Sequence, residues 1–142
     1  MTMAVRTAAE TEAGDVFGPV TVPVGRETLV AYANASGDQN PIHQDEHFAK
    51  SVGLPDVIAH GMWTMGAAGS VVSDWAGGAG RVVEFGTRFT KPVVVPASGA
   101  EVVIDGVVKA VDPETGRATV EVTATAEGAK VLGRCIAIVQ LD

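Results

Sequence analysis

The chain has a single cysteine, Cys135, in 142 residues. One thiol excludes an internal disulfide framework and fits a reducing compartment, so a cytoplasmic location is expected. No apolar run approaches the roughly 18 residues that a bilayer requires. Met1 to Ala13 carries Arg6, Glu10 and Glu12 and has no apolar segment of the kind a signal peptide needs. Basic residues are few, ten against seventeen acidic for a net charge of -7. With no basic tract, a nucleic-acid surface is not expected. Aromatic residues make up 5%. Trp63 and Trp75 fall in a predicted helix, where they read as packing rather than as stacking platforms.

What is present is apolar. Hydrophobic residues are 46% of the chain and charged residues 19%, which is too apolar for a disordered polymer. It is slightly rich for a small monomer, so some apolar surface is expected between subunits. The length suits one domain. We expect it over residues 14–142, behind a loosely ordered tail at 1–13.

Val16, Val20, Val22 and Val24 alternate with Gly, Pro and Thr. They predict a strand, irregular because of Pro19 and Pro23. Arg26 to Ser36 predicts a short helix, and Asp45 to Ser51 one or two helical turns ending at Gly53. Met62, Met65, Gly69, Val72 and Ala76 recur at helical spacing, predicting a second helix over Gly61 to Ala76. That helix holds Gly61, Gly66 and Gly69. Each glycine costs about 1 kcal/mol relative to alanine, so close packing against a broad partner is the expected reason for them. The period then changes to two. Arg81–Thr90, Gly99–Val111, Ala118–Ala126 and Lys130–Leu141 predict strands, with turns at Pro96–Gly99, Asp112–Gly116 and Glu127-Gly128. One strand, a helical stretch and four antiparallel strands predict an α+β fold, a sheet wrapped around one central helix. That is the hot-dog arrangement.

The most polar stretch lies between the helices: Ser36-Gly37-Asp38-Gln39-Asn40-Pro41-Ile42-His43. A carboxylate and an imidazole five residues apart, around a stiffening proline, can hold one water and move its proton. On spacing alone the same residues also read as a cap and a surface histidine beside a turn. The second element is Ala59-His60-Gly61-Met62, at the start of the central helix. Unpaired N–H groups there carry positive partial charge, and a glycine admits an oxygen that gains charge during reaction. The alternative is that Gly61 only permits packing and His60 only caps. His43-Gln44-Asp45-Glu46-His47 matches the H-x-x-E-H pattern of some zinc peptidases. Such enzymes are usually much larger, and no metal is expected. Cys135, among Ile136, Ala137 and Ile138, reads as a small core residue.

Tyr32 to His43 followed by Ile58-Ala59-His60-Gly61-Met62 resembles the MaoC-like (R)-specific enoyl-thioester hydratases and dehydratases. The joined S-G-D-x-N-P-I-H and A-H-G-M segments carry the likeness. Val52-Gly53-Leu54, Val111-Asp112-Pro113-Glu114 and Gly133-Arg134-Cys135-Ile136-Ala137 resemble the catalytic B-type subunits of (3R)-hydroxyacyl-carrier-protein dehydratases. The resemblance implies a hot-dog fold paired into a double hot-dog, as a homodimer or as a heterodimer with a related subunit, and no cofactor. It implies that Asp38 and His43 hold the catalytic water, that Gly61 N–H binds the thioester carbonyl, and that Asn40 braces the turn with His60 in support. The substrate it implies is an acyl-carrier-protein or acyl-CoA thioester, in type II fatty-acid elongation for the B-type reading. A free-standing homodimeric enoyl-CoA hydratase and a non-catalytic acyl-binding subunit are the alternatives. Met62, Trp63 and Met65 are candidates to line the acyl tunnel. Arg81, Arg88 and Lys91 are candidates to approach a phosphate or an acidic carrier.

Overall fold

The computed structural model describes residues 5–142. Strand β1 (Val16–Val24) is followed by helix α1 (Arg26–Ser36), a 3-10 turn at Pro41–His43, the short helix α2 (Glu46–Ser51) and the long helix α3 (Gly61–Ala76). Strands β2 (Val82–Phe89), β3 (Ala100–Asp112), β4 (Arg117–Ala126), β5 (Ala129–Lys130) and β6 (Leu132–Gln140) complete the chain. The sheet order is β1-β3-β4-β6-β2, with β5 paired to β4. All the pairings are antiparallel. This is the expected α+β hot-dog, with α3 held in the curve of the sheet.

The alternation read from the sequence sets the core. Val102, Ile104 and Val108 of β3, Ala118, Val120, Val122 and Ala124 of β4, and Cys135, Ala137 and Val139 of β6 are buried on one face. They meet Ala68, Val71, Val72 and Ala76 of α3 in one cluster. Burial pushes the Cys135 thiol pKa up, against a smaller opposing effect of a hydrogen bond with Thr87. Cys135 is the inert core residue expected. The register of β1 shifts between Phe17 and Val20, across Gly18-Pro19, whereas Pro23 pairs in regular register with Glu101. Only the first of the two prolines disturbs the strand.

Three features of the fold depart from the expectation or go beyond it. The strand expected over Lys130–Leu141 is divided at Val131 into β5 and β6. The strand after α3 does not lie beside its sequence neighbour: β2 pairs with β6 at the sheet edge. The segment from Thr90 to Gly99 therefore crosses the molecule, and on its way it takes Ala59 N–H onto the Val93 carbonyl and gives Val95 N–H to the Val57 carbonyl, both at 2.9 Å. Finally, the described part of the expected loose tail is tied down. Arg6 N–H donates to the Ala76 carbonyl at 3.1 Å, Ala8 N–H donates to the Asp142 carbonyl at 2.7 Å, and Ala8–Glu10 form a 3-10 turn. Backbone pairing with the end of α3 and with the C-terminus explains the order. Residues 1–4 lie outside the described residues. Among the described residues no helix is long and apolar enough to cross a membrane.

Two of the three helix glycines pack as expected. A Cβ on Gly61 would sit 3.0 Å from Phe89 Cε1, and one on Gly69 3.2 Å from Phe85 Cε2. Phe85 and Phe89 are four residues apart on β2 and share a face. A Cβ on Gly66 would meet nothing within 4 Å, so close packing within the chain does not account for it.

Candidate active site

The turn after α1 is built from its own side chains. Gly37 ends the helix at φ 84°, donating to the Ala33 carbonyl, a left-handed conformation that glycine adopts without cost. Asp38 Oδ1 accepts from Asn40 N–H at 3.1 Å, and Asn40 Oδ1 accepts from Ile42 N–H at 3.2 Å. Two consecutive Asx turns thus lead into the Pro41–His43 turn. They fix one oxygen of the Asp38 carboxylate and leave the other free.

That second oxygen, Oδ2, lies 4.0 Å from His43 Nε2. The separation is too long for a direct hydrogen bond and accommodates one oxygen atom bonded to both. His43 is buried, and its Nδ1 donates to the Ile58 carbonyl at 2.6 Å. A carbonyl only accepts, so Nδ1 carries the proton and Nε2 presents its lone pair towards Asp38. The pKa of His43 is lowered, first by burial and further by His60, against the opposing effects of the Ile58 hydrogen bond and Asp38. The ring is therefore a neutral base at pH 7.

Ile58 is held in turn. Its N–H donates to the Ile42 carbonyl at 3.1 Å, and it bridges to Val94 of the crossover. Asp56 Oδ1 accepts from Val57 N–H and from Arg26 Nη2, each at 2.7 Å. Arg26 Nη1 reaches Glu46 Oε2 at 3.3 Å, so one guanidinium joins the start of α1 to α2 and to the segment that orients His43.

Helix α3 begins beside this pair. Gly61 and Met62 open it, and their N–H groups have no carbonyl one turn back. His60 precedes them, almost wholly buried. It makes no side-chain cap; its Nε2 donates to the Asp38 backbone carbonyl at 3.1 Å. Its ring stacks on His43 with centroids 3.7 Å apart and planes 23° apart, and Tyr32 lies against it at 4.7 Å.

A cavity of about 350 Å³ opens in front of His43 and Gly61, walled by Ile58, Thr64, Phe89 and Lys91 among others. Its lining does not include Met62, Trp63 or Met65. Met62 and Trp63 line a second cleft across α3, with Val20, Tyr32 and Gly66. Of the three candidate cations, Lys91 borders the cavity, Arg88 is exposed on β2, and Arg81 is paired with Asp142 at 2.9 Å. Ser70, beyond the first turns of α3, gives its hydroxyl to the Gly66 carbonyl.

The H-x-x-E-H pattern does not form a centre. Glu46 is engaged by Lys50 and Arg26, and His47 is exposed on α2. Asp38, His43 and His60 do bring ligand-type atoms within 4.8 Å of one another. Imidazole lone pairs lie in the ring plane, however, and two nearly parallel stacked rings do not converge on one ion.

A family model described as a MaoC like domain matches residues 8–129. The chain belongs to the MaoC-like family. A solved structure of a MaoC-like dehydratase superimposes with a TM-score of 0.96 at 39% identity, over 99% of this chain and 44% of that one. An (R)-hydratase from A. caviae involved in PHA biosynthesis does so with a TM-score of 0.83 at 26% identity, over 94% of this chain and 98% of that one. The 3-hydroxyacyl-thioester dehydratase X of Mycobacterium tuberculosis is 41% identical over 75 residues, 53% of this chain and 26% of its own length. This MaoC-like chain thus spans about a quarter of that curated relative. Several of the relatives bear dehydratase or hydratase names.

Sequence reasoning missed the Ile58 carbonyl, Thr64 and Phe89. A backbone acceptor leaves no side-chain signature. Phe89 reaches Gly61 only because β2 crosses to the far edge of the sheet, which no local pattern announces. Thr64 was legible as the residue one turn beyond His60.

Proposed function

We propose that this chain carries the acid–base residues of a hydro-lyase that interconverts (3R)-3-hydroxyacyl and trans-2-enoyl thioesters. The observation that carries the reading is the 4.0 Å gap between Asp38 Oδ2 and His43 Nε2, beside the free N–H groups that open α3. In dehydration the thioester carbonyl accepts from Gly61 N–H, which stabilises negative charge as the α-carbon loses its proton. His43 Nε2 takes that proton. Asp38 orients the β-hydroxyl, which takes up the proton that His43 has just received and leaves as water while the Cα–Cβ double bond forms, so that His43 is neutral again. Hydration runs the same steps backwards, with one water held between the two side chains. Asn40 braces the turn, and no cofactor takes part.

For the carrier we favour an acyl-carrier protein over CoA, because the later strands resemble B-type dehydratase subunits; Lys91 at the cavity rim suits the phosphate of either. A second hot-dog subunit completes the acyl channel. Two features support it: β2 is an edge strand with Val83 and Phe89 exposed, and Met62, 58% exposed, lies on the second cleft. Met62 and Trp63, with Met65 beside them on α3, then meet the acyl chain from this side.

The test is loss of conjugated enoyl-thioester absorbance from a trans-2-enoyl-CoA, run beside a sizing column. Hydration by a homodimer supports the chemistry and the free-standing enzyme. A protein that neither hydrates nor binds any enoyl thioester, alone or with a hot-dog partner, overturns the reading. A well-formed dimer that binds thioester without hydrating it favours the acyl-binding alternative.

A further inference from the structure

Two buried side-chain atoms beside the site have no hydrogen-bond partner: His60 Nδ1 and Thr64 Oγ1. Their residues are 2% and 1% exposed. A buried polar group without a partner costs free energy and calls for a reason. His60 is the N-cap of α3 and Thr64 N–H donates to its carbonyl at 3.2 Å, so the two residues stand one turn apart, and the Thr64 side chain leans back towards the N-terminus, where His60 lies.

The hydrogen-bond chemistry makes them complementary. His60 Nε2 lies 3.1 Å from the Asp38 backbone carbonyl. That oxygen only accepts, so Nε2 carries the proton, and in the neutral ring Nδ1 is then an acceptor in need of a donor. The Thr64 hydroxyl is a donor in need of an acceptor.

We propose that Thr64 is a positioning residue: its hydroxyl donates to His60 Nδ1 across one trapped water, and so holds His60 as the neutral Nε2–H tautomer that fixes the Asp38 turn and underlies His43. The relay runs from the Thr64 hydroxyl through the His60 ring to the Asp38 carbonyl. It acts on both reacting groups through the His60 ring, from a residue that also lines the cavity. It sets where the Asp38 carboxylate lies, and it keeps an uncharged ring stacked 3.7 Å from His43. Besides His43 and the Asp38 turn, the titratable group against His60 is Tyr32. The Asp38 carboxylate and Lys91 face His43 across the cavity mouth.

The test is 15N NMR of the histidine rings with kinetics on the intact protein and on Thr64→Val and Thr64→Ser. Valine keeps the shape and removes the hydroxyl. In the wild type we expect His60 as the Nε2–H tautomer with Nδ1 in the hydrogen-bonded range. Thr64→Val moves the Nδ1 signal, lowers kcat about tenfold with KM within twofold, and shifts the acid limb of the rate profile, while Thr64→Ser restores all three. An unchanged His60 spectrum in Thr64→Val overturns the contact, and a moved spectrum with unchanged kcat and pH profile overturns the positioning role. If Thr64→Val does not fold, the wild-type spectrum decides, because an Nδ1–H or protonated His60 at pH 7 overturns the proposal. The kinetic arm rests on the hydro-lyase reading and the spectral arm does not. A wild type that hydrates no thioester but shows the His60 signature defeats that reading alone.

Discussion

His43 and Ile58 meet through a single hydrogen bond, Nδ1–H to the carbonyl oxygen at 2.6 Å, and that bond decides what His43 can do. It fixes the tautomer, turns Nε2 towards Asp38, and ties a side chain from the 3-10 turn to the segment that leads into α3. The two halves of the sequence signature, one before α2 and one after it, are joined at this point. His43→Ala and Asp38→Asn are each expected to lower the rate of enoyl-thioester hydration by at least about 10²-fold with an unchanged circular-dichroism spectrum. The double variant is expected to lose little more than either single one, because the two groups hold one water between them. Steady-state kinetics on the four proteins measures this; additive losses would separate the two residues.

The same geometry sets the pH dependence. Burial, with a further effect of His60, lowers the His43 pKa from 6.5. The base is neutral over a wider range than a free imidazole, so the rate holds as pH falls through 6.5 and is lost only below it, as pH passes through the lowered value. Stability has a linked sign. Between the lowered folded value and the unfolded value the unfolded chain binds more protons, so His43 makes the fold less stable as pH falls through that window. Asp38 opposes the lowering, and Asp38→Asn is expected to move the His43 titration lower still. An NMR titration of the His43 ring in both proteins reads it, and an upward move on Asp38→Asn would contradict the placement of the carboxylate.

Arg26 is expected to matter for stability more than for chemistry. Its guanidinium is about one-third exposed, yet it pairs with Asp56, only 15% exposed, at 2.7 Å and also reaches Glu46. Losing charged hydrogen bonds of this partly screened kind costs about 1–2 kcal/mol. Arg26→Met should lower Tm by several degrees, and Arg26→Lys should recover only part because it cannot bridge two carboxylates with one planar fork. Differential scanning calorimetry of the two variants tests it.

The reach of the sequence has a physical boundary here. Helix α3 and the alternating faces of β3 and β4 were legible because local spacing determines them, whereas spacing alone left Asp38 and His43 open to a capping reading and the resemblance of their segment gave them a role. What was not legible comes from long-range closure. The β2 crossover puts Phe89 against Gly61, the Ile58 carbonyl is a backbone group, and the ordered stretch around Ala8 depends on the distant Ala76 and Asp142. The placing of Met62 and Trp63 outside the His43 cavity is likewise a matter of which side of α3 the sheet wraps.

Gly61 separates packing from ligand approach. A Cβ there would meet the Phe89 ring at 3.0 Å, but that ring is 55% exposed and can swing away at small cost. Gly61→Ala is therefore expected to leave Tm within a few degrees while lowering kcat/KM at least tenfold, about 1.4 kcal/mol of transition-state stabilisation, because the methyl group stands where the thioester oxygen approaches the helix end. Adding Phe89→Ala gives the methyl group room. If activity returned in the double variant, ring displacement rather than blocked approach would be the cause.

Gly66 and Gly69 make the opposite pair of cases on one helix. A methyl group on Gly69 would press on Phe85 at 3.2 Å, whereas one on Gly66 meets nothing within 4 Å. Alanine gains about 1 kcal/mol over glycine in a helix interior, so Gly66→Ala should raise the Tm of the isolated chain by a few degrees. In Gly69→Ala that gain is offset by repacking of Phe85, and no rise is expected. Gly66 lies in the cleft that also holds Met62 and Trp63. If a second subunit covers that cleft, the same Gly66→Ala change should weaken the assembly while stabilising the monomer. Thermal melts combined with sedimentation across a concentration series distinguish the two effects. A variant with a higher monomer Tm and an undiminished dimer would show that the cleft stays open to solvent in the assembled protein.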